Sequence, residues 1–141
     1  HVIPIVREIN LFYDIMSLFK LFNFFYKNKF DGIHSIGPKA GLLSTFAGFL
    51  ARIKVRIHFF TGQVWASEKG IYRIFLKFFD KVIVFFSTLI LLDGDSQRKF
   101  LIREKVINFQ NSLILGKGSI SGVDLERFKF DNNQRHLIET N

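Results

Sequence analysis

The sequence predicts an α/β domain built on a parallel sheet, and three observations lead to this fold class. Short apolar runs alternate with longer segments of helical periodicity, which is the order of βαβ units. The apolar runs are continuous rather than alternating with polar residues, as expected of strands covered by helices on both faces. At 141 residues, of which 48% are hydrophobic, the chain is the size of one domain and can bury a core.

The first elements are a helix, a strand and a second helix. Apolar residues recur at helical spacing over 13–28, and Asp14 suits the N-terminal cap or first turn of that helix. A short buried strand is predicted over 30–37. The next helix begins at Pro38, where the missing N–H of proline costs no hydrogen bond.

The alternation continues through the rest of the chain. Strands are predicted at VRIHFF, LILLDGD and NSLILGKG, with a helix over 70–86 after the first and a helix from Ser96 after the second. Parallel strands joined by right-handed crossovers then give a Rossmann-like three-layer sandwich.

The ends of the chain suggest that it is part of something longer. It begins HVIPIVREIN, without a Met or a signal-peptide pattern, and it becomes polar after Arg127. We expect a partial domain over 1–125 and a linker, or the start of a further domain, over 126–141. The longest charge-free apolar run, 82–92, is shorter than the roughly 20 residues of a membrane-spanning helix.

Charge and composition limit the partners. A net charge of +8 predicts an anionic partner: nucleic acid, an anionic membrane surface or a phosphorylated substrate. No recognisable nucleic-acid-binding motif accompanies the charge, so nucleic acid is not expected. The chain has no Cys, and its four His are far apart in the sequence, so no metal site is predicted.

The predicted strands end in polar loops that contain glycine. In parallel sheets such ends meet at one edge, where ligands bind in a crevice. The candidate crevice residues follow the strands directly: His34, Ser35, His58, Thr61, Gly62, Gln63, Gly118 and Ser119.

Three residues near these strand ends have an ordinary structural explanation as well as a functional one. His58 could hydrogen-bond within the fold instead of contacting a ligand. Trp65, the single tryptophan, could pack the loop or form a platform for a sugar ring. Lys39, in the first turn of the second helix, could face an anion or be solvated.

The helix over 70–86 carries an apolar stripe and a basic one. The basic row repeats every four residues: Lys69, Arg73, Lys77 and Lys81. Such a row is either a solvated face or a surface for anionic lipid headgroups.

Five stretches in this order resemble the N-terminal half of family 4 glycosyltransferases, in particular bacterial enzymes that build polysaccharides or lipid-linked glycans. They are IPIVREINLFYD, FDGIHSIGPKAGLLSTFAGFLARI, VRIHFFTGQVWAS, GDSQRKFLI and LGKGSISGVDLERF. The resemblance implies half of a GT-B fold, with the active site in a cleft between two Rossmann-like domains. It further implies a retaining transfer without a required metal or cofactor, and a nucleotide-sugar donor bound mainly by the second domain.

The resemblance also implies roles for the crevice residues. His58 would hydrogen-bond near the transferred sugar in the transition state, and it is the implied catalytic residue. Other positions would bind substrate: the sugar wall at Thr61, Gly62 and Gln63, the acceptor side at His34, Ser35 and Lys39, and the inter-domain cleft at Gly118 and Ser119. The chain departs from the family at Thr61, Ile36 and Gly37, where many members have His, His and Thr.

The expected function is therefore sugar transfer to a lipid-linked or oligosaccharide acceptor in cell-surface polysaccharide synthesis. The resemblance and the basic row together predict a cytoplasmic enzyme, peripheral at the inner face of the cell membrane, and residues 1–141 alone are expected to be inactive. Two alternatives stay open. One is another Rossmann-type nucleotide-binding enzyme, although no G-x-G-x-x-G follows a strand. The other is a basic membrane-surface or interaction module without catalysis.

Overall fold

A computed structural model of the chain describes residues 3, 5, 10–116 and 118. These residues form a four-stranded parallel sheet of order β1-β2-β3-β4, with helices between the strands. The elements in chain order are α1 (Leu11–Asn28), β1 (Gly32–Ile36), α2 (Pro38–Leu50), β2 (Val55–Phe60), a 3₁₀ turn (Val64–Ala66), α3 (Gly70–Phe86), β3 (Leu89–Leu92), α4 (Asp95–Arg103) and β4 (Ser112–Ile114).

The predicted Rossmann-like α/β fold is confirmed. Each strand pairs in parallel with the next along the chain, and the register sets Ser35 beside His58 and His58 beside Ile90. Because every crossover moves in the same direction, right-handed connections place α2, α3 and α4 on one face of the sheet. Helix α1 packs against α2, which in turn packs against α3, so these helices form one layer.

The opposite face of the sheet carries side chains that alternate with those under the helices. Four of them are exposed: His34, Ile36, Val55 and Leu113. A second helical layer over this face, the third layer of the predicted sandwich, stays a prediction.

Two apolar clusters hold the helical layer to the sheet. The larger joins β2, β3, α3 and α4 through buried residues that include Phe60, Ile83, Ile90 and Leu101. The smaller joins α1 to α2 through Leu21, Phe25, Leu43, Ala47 and Ile53. The strands and helices predicted in alternation thus pack against one another in these two clusters.

Helix ends differ slightly from the prediction. Helix α1 begins at Leu11, two residues early, because Asn10 caps it: the Asn10 side chain accepts from the Tyr13 N–H at 3.3 Å, and its own N–H donates to Asp14 at 3.3 Å. Asp14 therefore sits in the first turn rather than at the cap. Among the described helices, none has both the length and the apolar character needed to cross a bilayer.

Candidate functional site

The carboxyl edge of the sheet is tied together by Gln97, in the first turns of α4. Its amide nitrogen donates to the Phe60 carbonyl at 3.2 Å and to the Gln63 side-chain oxygen at 3.4 Å. Its amide oxygen accepts from the Asp93 N–H at 2.9 Å. One side chain thus joins the loops that follow β2 and β3. The sequence reasoning missed Gln97, although a polar residue in the first turns of a helix after a strand was a usable signal.

The loop after β2 is open toward the crevice. Thr61 and Gly62 are exposed, and no atom lies within 4 Å of the position that a Cβ would take at Gly62. Gln63 is half-buried, and its amide nitrogen is buried without a hydrogen bond to any described residue. Leaving a buried donor unpaired costs free energy, and this nitrogen is too deeply buried for a ligand to reach while the side chain keeps its position. The loop therefore holds an unpaired donor just beneath an open surface.

The loop after β4 closes against the loop after β3. The Gly118 N–H donates to the Leu115 carbonyl at 3.0 Å, and Gly118 has a φ of +97°. A Cβ at this position would lie 2.4 Å from the Asp93 carbonyl oxygen. Glycine is thus required both by the backbone conformation and by the space. Gly118 reaches the predicted edge, whereas Ser119 and the rest of that motif lie outside the described residues.

His58 lies behind the crevice rather than on its surface. Its ring is 1% exposed, and its Nδ1 lies 3.0 Å from the Ser35 hydroxyl. Helix α2 covers the ring so closely that a Cβ on Gly41 would come within 2.3 Å of it. Burial, with a smaller contribution from His34, lowers the pKa of His58 to about 4, so the ring is neutral at pH 7. In this conformation the ring does not reach the crevice surface, and a catalytic role for it stays a prediction.

The three residues expected on the acceptor side do not form one cluster. Ser35 is buried with His58, whereas His34 is exposed on the opposite face of the sheet. Lys39 lies in the helical layer, where its Nζ is 2.7 Å from the Asp14 carboxylate. The anion near Lys39 is therefore a side chain of α1, and a role of Lys39 in binding the acceptor stays a prediction.

Trp65 is a core residue. It is 1% exposed and stacks on Phe100, with ring centroids 5.3 Å apart. Its indole N–H donates to the Asp80 carboxylate at 2.7 Å. Burial raises the pKa of Asp80 to about 6, and this hydrogen bond opposes part of the shift. The packing interpretation is confirmed, and the platform for a sugar ring is wrong.

The basic row of α3 is divided between two environments. Arg73 and Lys77 both bind Glu104, at 2.8 and 2.7 Å, and their cations lie over the Trp65 ring. Lys69 and Lys81 are exposed. The row is therefore not one continuous outward surface, because its two central members turn toward the protein.

Metal ligands are not grouped in the part of the chain that the structure describes. Among residues 3, 5, 10–116 and 118, no three His, Asp or Glu side chains could hold an ion together. The described groups at the carboxyl edge are amides, hydroxyls, backbone groups and the carboxylates of Asp93 and Asp95.

The sequence of the chain is similar to the sequences of two sugar-transferring enzymes. No protein-family model matches the chain. It is 34% identical over 134 residues to the capsular polysaccharide biosynthesis glycosyltransferase CapM of Staphylococcus aureus, covering 95% of this chain and 35% of that protein. It is 25% identical over 134 residues to the UDP-Gal:alpha-D-GlcNAc-diphosphoundecaprenol alpha-1,3-galactosyltransferase of Escherichia coli, covering 94% of this chain and 34% of that protein. The chain is thus similar to glycosyltransferases and spans about a third of the length of these relatives.

Proposed function

We propose that this chain is the N-terminal, acceptor-side half of a retaining family 4 glycosyltransferase with a GT-B fold. The observation that carries the proposal is the similarity of nearly the whole chain to two glycosyltransferases. The parallel sheet and its carboxyl-edge crevice support it, since this is where ligands bind in such folds. The enzyme moves a hexose from a nucleotide sugar to an acceptor hydroxyl in the synthesis of a cell-surface polysaccharide.

The donor and the acceptor occupy different parts of the proposed enzyme. The nucleotide sugar binds mainly to a second domain beyond residues 1–125, so residues 1–141 alone are inactive. The acceptor is a lipid-linked glycan; in support, the name of the Escherichia coli relative includes a diphosphoundecaprenol-linked sugar. Such an acceptor favours a location at the cytoplasmic face of the cell membrane.

The crevice residues divide into those that contact sugar and those that position others. The Gln63 amide nitrogen is buried and has no hydrogen bond to a described residue, and the side chain turns outward to donate to a sugar hydroxyl. Thr61 and Gly62 form the adjacent wall, and Gly118 and Ser119 face the cleft between domains. His58 is the proposed catalytic residue, and because its ring is buried beneath α2 beside Ser35, it acts from behind the surface of the crevice.

A sugar-transfer assay with a matched pair of variants tests the proposal. The full-length protein is given a panel of UDP-sugars and a diphosphoundecaprenol-linked acceptor, and product is followed by mass spectrometry. Gln63→Ala is expected to lower kcat/KM about 10- to 100-fold, the effect of losing one buried hydrogen bond to substrate. Gln110→Ala, at an exposed position before β4, is the control and should keep full activity.

Two results would count against the proposal. Transfer by the full-length protein that is equal in wild type and Gln63→Ala would remove Gln63 from the site. No transfer with any donor, while the protein still binds vesicles, would favour a membrane-surface module without catalysis.

A further inference from the structure

Helix α3 exposes a broad apolar face. Ile71, Ile74 and Phe78 are 86%, 67% and 58% exposed, and Phe75 and Phe85 on the same side are exposed as well. The opposite side packs into the fold, where Ile83 and Asp80 are buried, Leu76 lies against the core, and Arg73 and Lys77 bind Glu104. Helix α3 is therefore apolar on its outer side as well, where a helix on the surface of a water-soluble domain carries charged and polar residues.

An apolar groove opens beside this face, between α1, α2 and α3. It has a volume of about 580 Å³. Its walls include Leu11 and Ile15 of α1, Phe46 of α2, and Phe79 of α3, with Trp65 among the lining residues. Leu11 and Ile15 are also exposed, as are their neighbours Phe12 and Phe19 on α1. The groove and the outer faces of both helices therefore form one apolar surface, called here the lipid face.

The charges at the border of the lipid face are mainly positive. Lys69 directly precedes α3, Lys81 lies in its C-terminal half, and Lys20 is exposed on α1 beside Phe19. Of the acidic residues nearby, Asp14 is ion-paired with Lys39, Asp80 is buried, and Glu68 is half-buried next to Lys69. Lysines around an apolar surface complement an anionic lipid headgroup layer above acyl chains.

We propose that the lipid face inserts into the acyl-chain region of an anionic bilayer and that the groove takes one lipid acyl chain. The helices lie in the plane of the interface, which requires no spanning length. A second copy of the chain would bring the same lysine-bordered face, whereas an anionic headgroup layer pairs with Lys69 and Lys81. The inference rests on the membrane association in the proposed function and is independent of sugar transfer.

Trp65 provides a direct reporter, because it is the single tryptophan of the chain and lines the groove. The purified protein is mixed with vesicles of phosphatidylcholine and phosphatidylglycerol whose acyl chains carry bromine, which quenches indole fluorescence at short range. Binding is measured by flotation at low salt and at about 1 M salt, where the Debye length is about 3 Å. Insertion predicts quenching of Trp65 and binding that persists at high salt.

A matched pair of variants separates insertion of the lipid face from nonspecific hydrophobic adsorption. Ile74→Ser combined with Phe78→Ser should weaken vesicle binding by at least about tenfold and abolish quenching, because both side chains leave the lipid face. Phe109→Ser is the control: Phe109 is 68% exposed, but it lies in the loop before β4 and should not affect binding. Circular dichroism confirms that each variant is folded.

Three outcomes would overturn the inference, and none involves donor or acceptor sugar. Binding that disappears at high salt without quenching would leave electrostatic adsorption and remove insertion. No binding to any vesicle would remove membrane association from the proposed function as well. Self-association that the double substitution abolishes, without vesicle binding, would show that the face joins two copies of the chain.

Discussion

The carboxyl edge of the sheet and the outer helical layer differ in which side chains they expose and which they hold in place. At the edge, polar groups are held in place by hydrogen bonds between loops, as when Gln97 joins the Phe60 carbonyl to the Asp93 N–H. In the outer layer, apolar side chains such as Ile71 are exposed, while the charges of Arg73 and Lys77 turn inward to Glu104. Backbone topology therefore decides which residues meet at the edge, whereas the neighbours of a helix decide which of its faces is buried.

The largest expected effect is at Trp65, which follows the β2 loop but packs beneath the helical layer. Trp65→Ala should lower the free energy of unfolding by about 3–5 kcal/mol, because it removes a buried ring and leaves Asp80 without its donor. Urea denaturation followed by circular dichroism measures the change. Phe109→Ala, which truncates an exposed ring, is the control. Equal losses of unfolding free energy in Trp65→Ala and Phe109→Ala would show that Trp65 does not connect the two regions.

Much of the carboxyl edge could be predicted from the sequence. Continuous apolar runs that end in polar, glycine-containing loops were enough to predict parallel strands whose ends meet, and Gly118 is found where that rule puts it. The grouping of His34 with Ser35 went wrong for a geometric reason: successive residues of a strand point to opposite faces of the sheet. The register then pairs Ser35 with His58 under α2, which no local pattern reveals.

The orientation of α3 could not be predicted from the sequence. Its apolar and basic stripes were recognised, but a stripe does not tell which side faces the protein. The inward side packs Ile83 into the core and is fixed further by partners outside the helix: Glu104 accepts from Arg73 and Lys77, and Trp65 donates to Asp80. These partners become neighbours only after the sheet has formed.

The pH dependence of folding stability should distinguish the two regions. Each region contains one buried titratable group, and the two pKa shifts change stability in opposite directions as the pH falls. The pKa of His58 falls from 6.5 to about 4, so its contribution to stability is complete above pH 6.5 and is lost as the pH falls toward 4. The pKa of Asp80 rises from 3.8 to about 6, so its contribution is complete below pH 3.8 and is lost as the pH rises through 6. Each amounts to about 3 kcal/mol at most.

Two variants separate these contributions. Relative to wild type, His58→Asn should lose less stability between pH 6.5 and 4, and Asp80→Asn should lose less between pH 3.8 and 6. Urea denaturation across this range measures both slopes. Parallel curves for wild type and either variant would show that the residue concerned has the same pKa in the folded and unfolded states.

The smallest expected effect is at Glu104, whose carboxylate holds Arg73 and Lys77 on the inner side of α3. The hydrogen bond from Lys77, followed by that from Arg73, lowers the pKa of Glu104, so the stabilisation is present above the pKa of the unfolded state and is lost as the pH falls through the lower folded value. Glu104→Gln should therefore reduce stability slightly at pH 7, and less so at high salt, because the pairs are partly exposed and screened. Glu68→Gln, which removes a charge just before α3, is the control, and urea denaturation over a salt series gives the comparison. A loss at Glu104 that salt does not change would mean that packing over Trp65, rather than the carboxylate, turns the two cations inward.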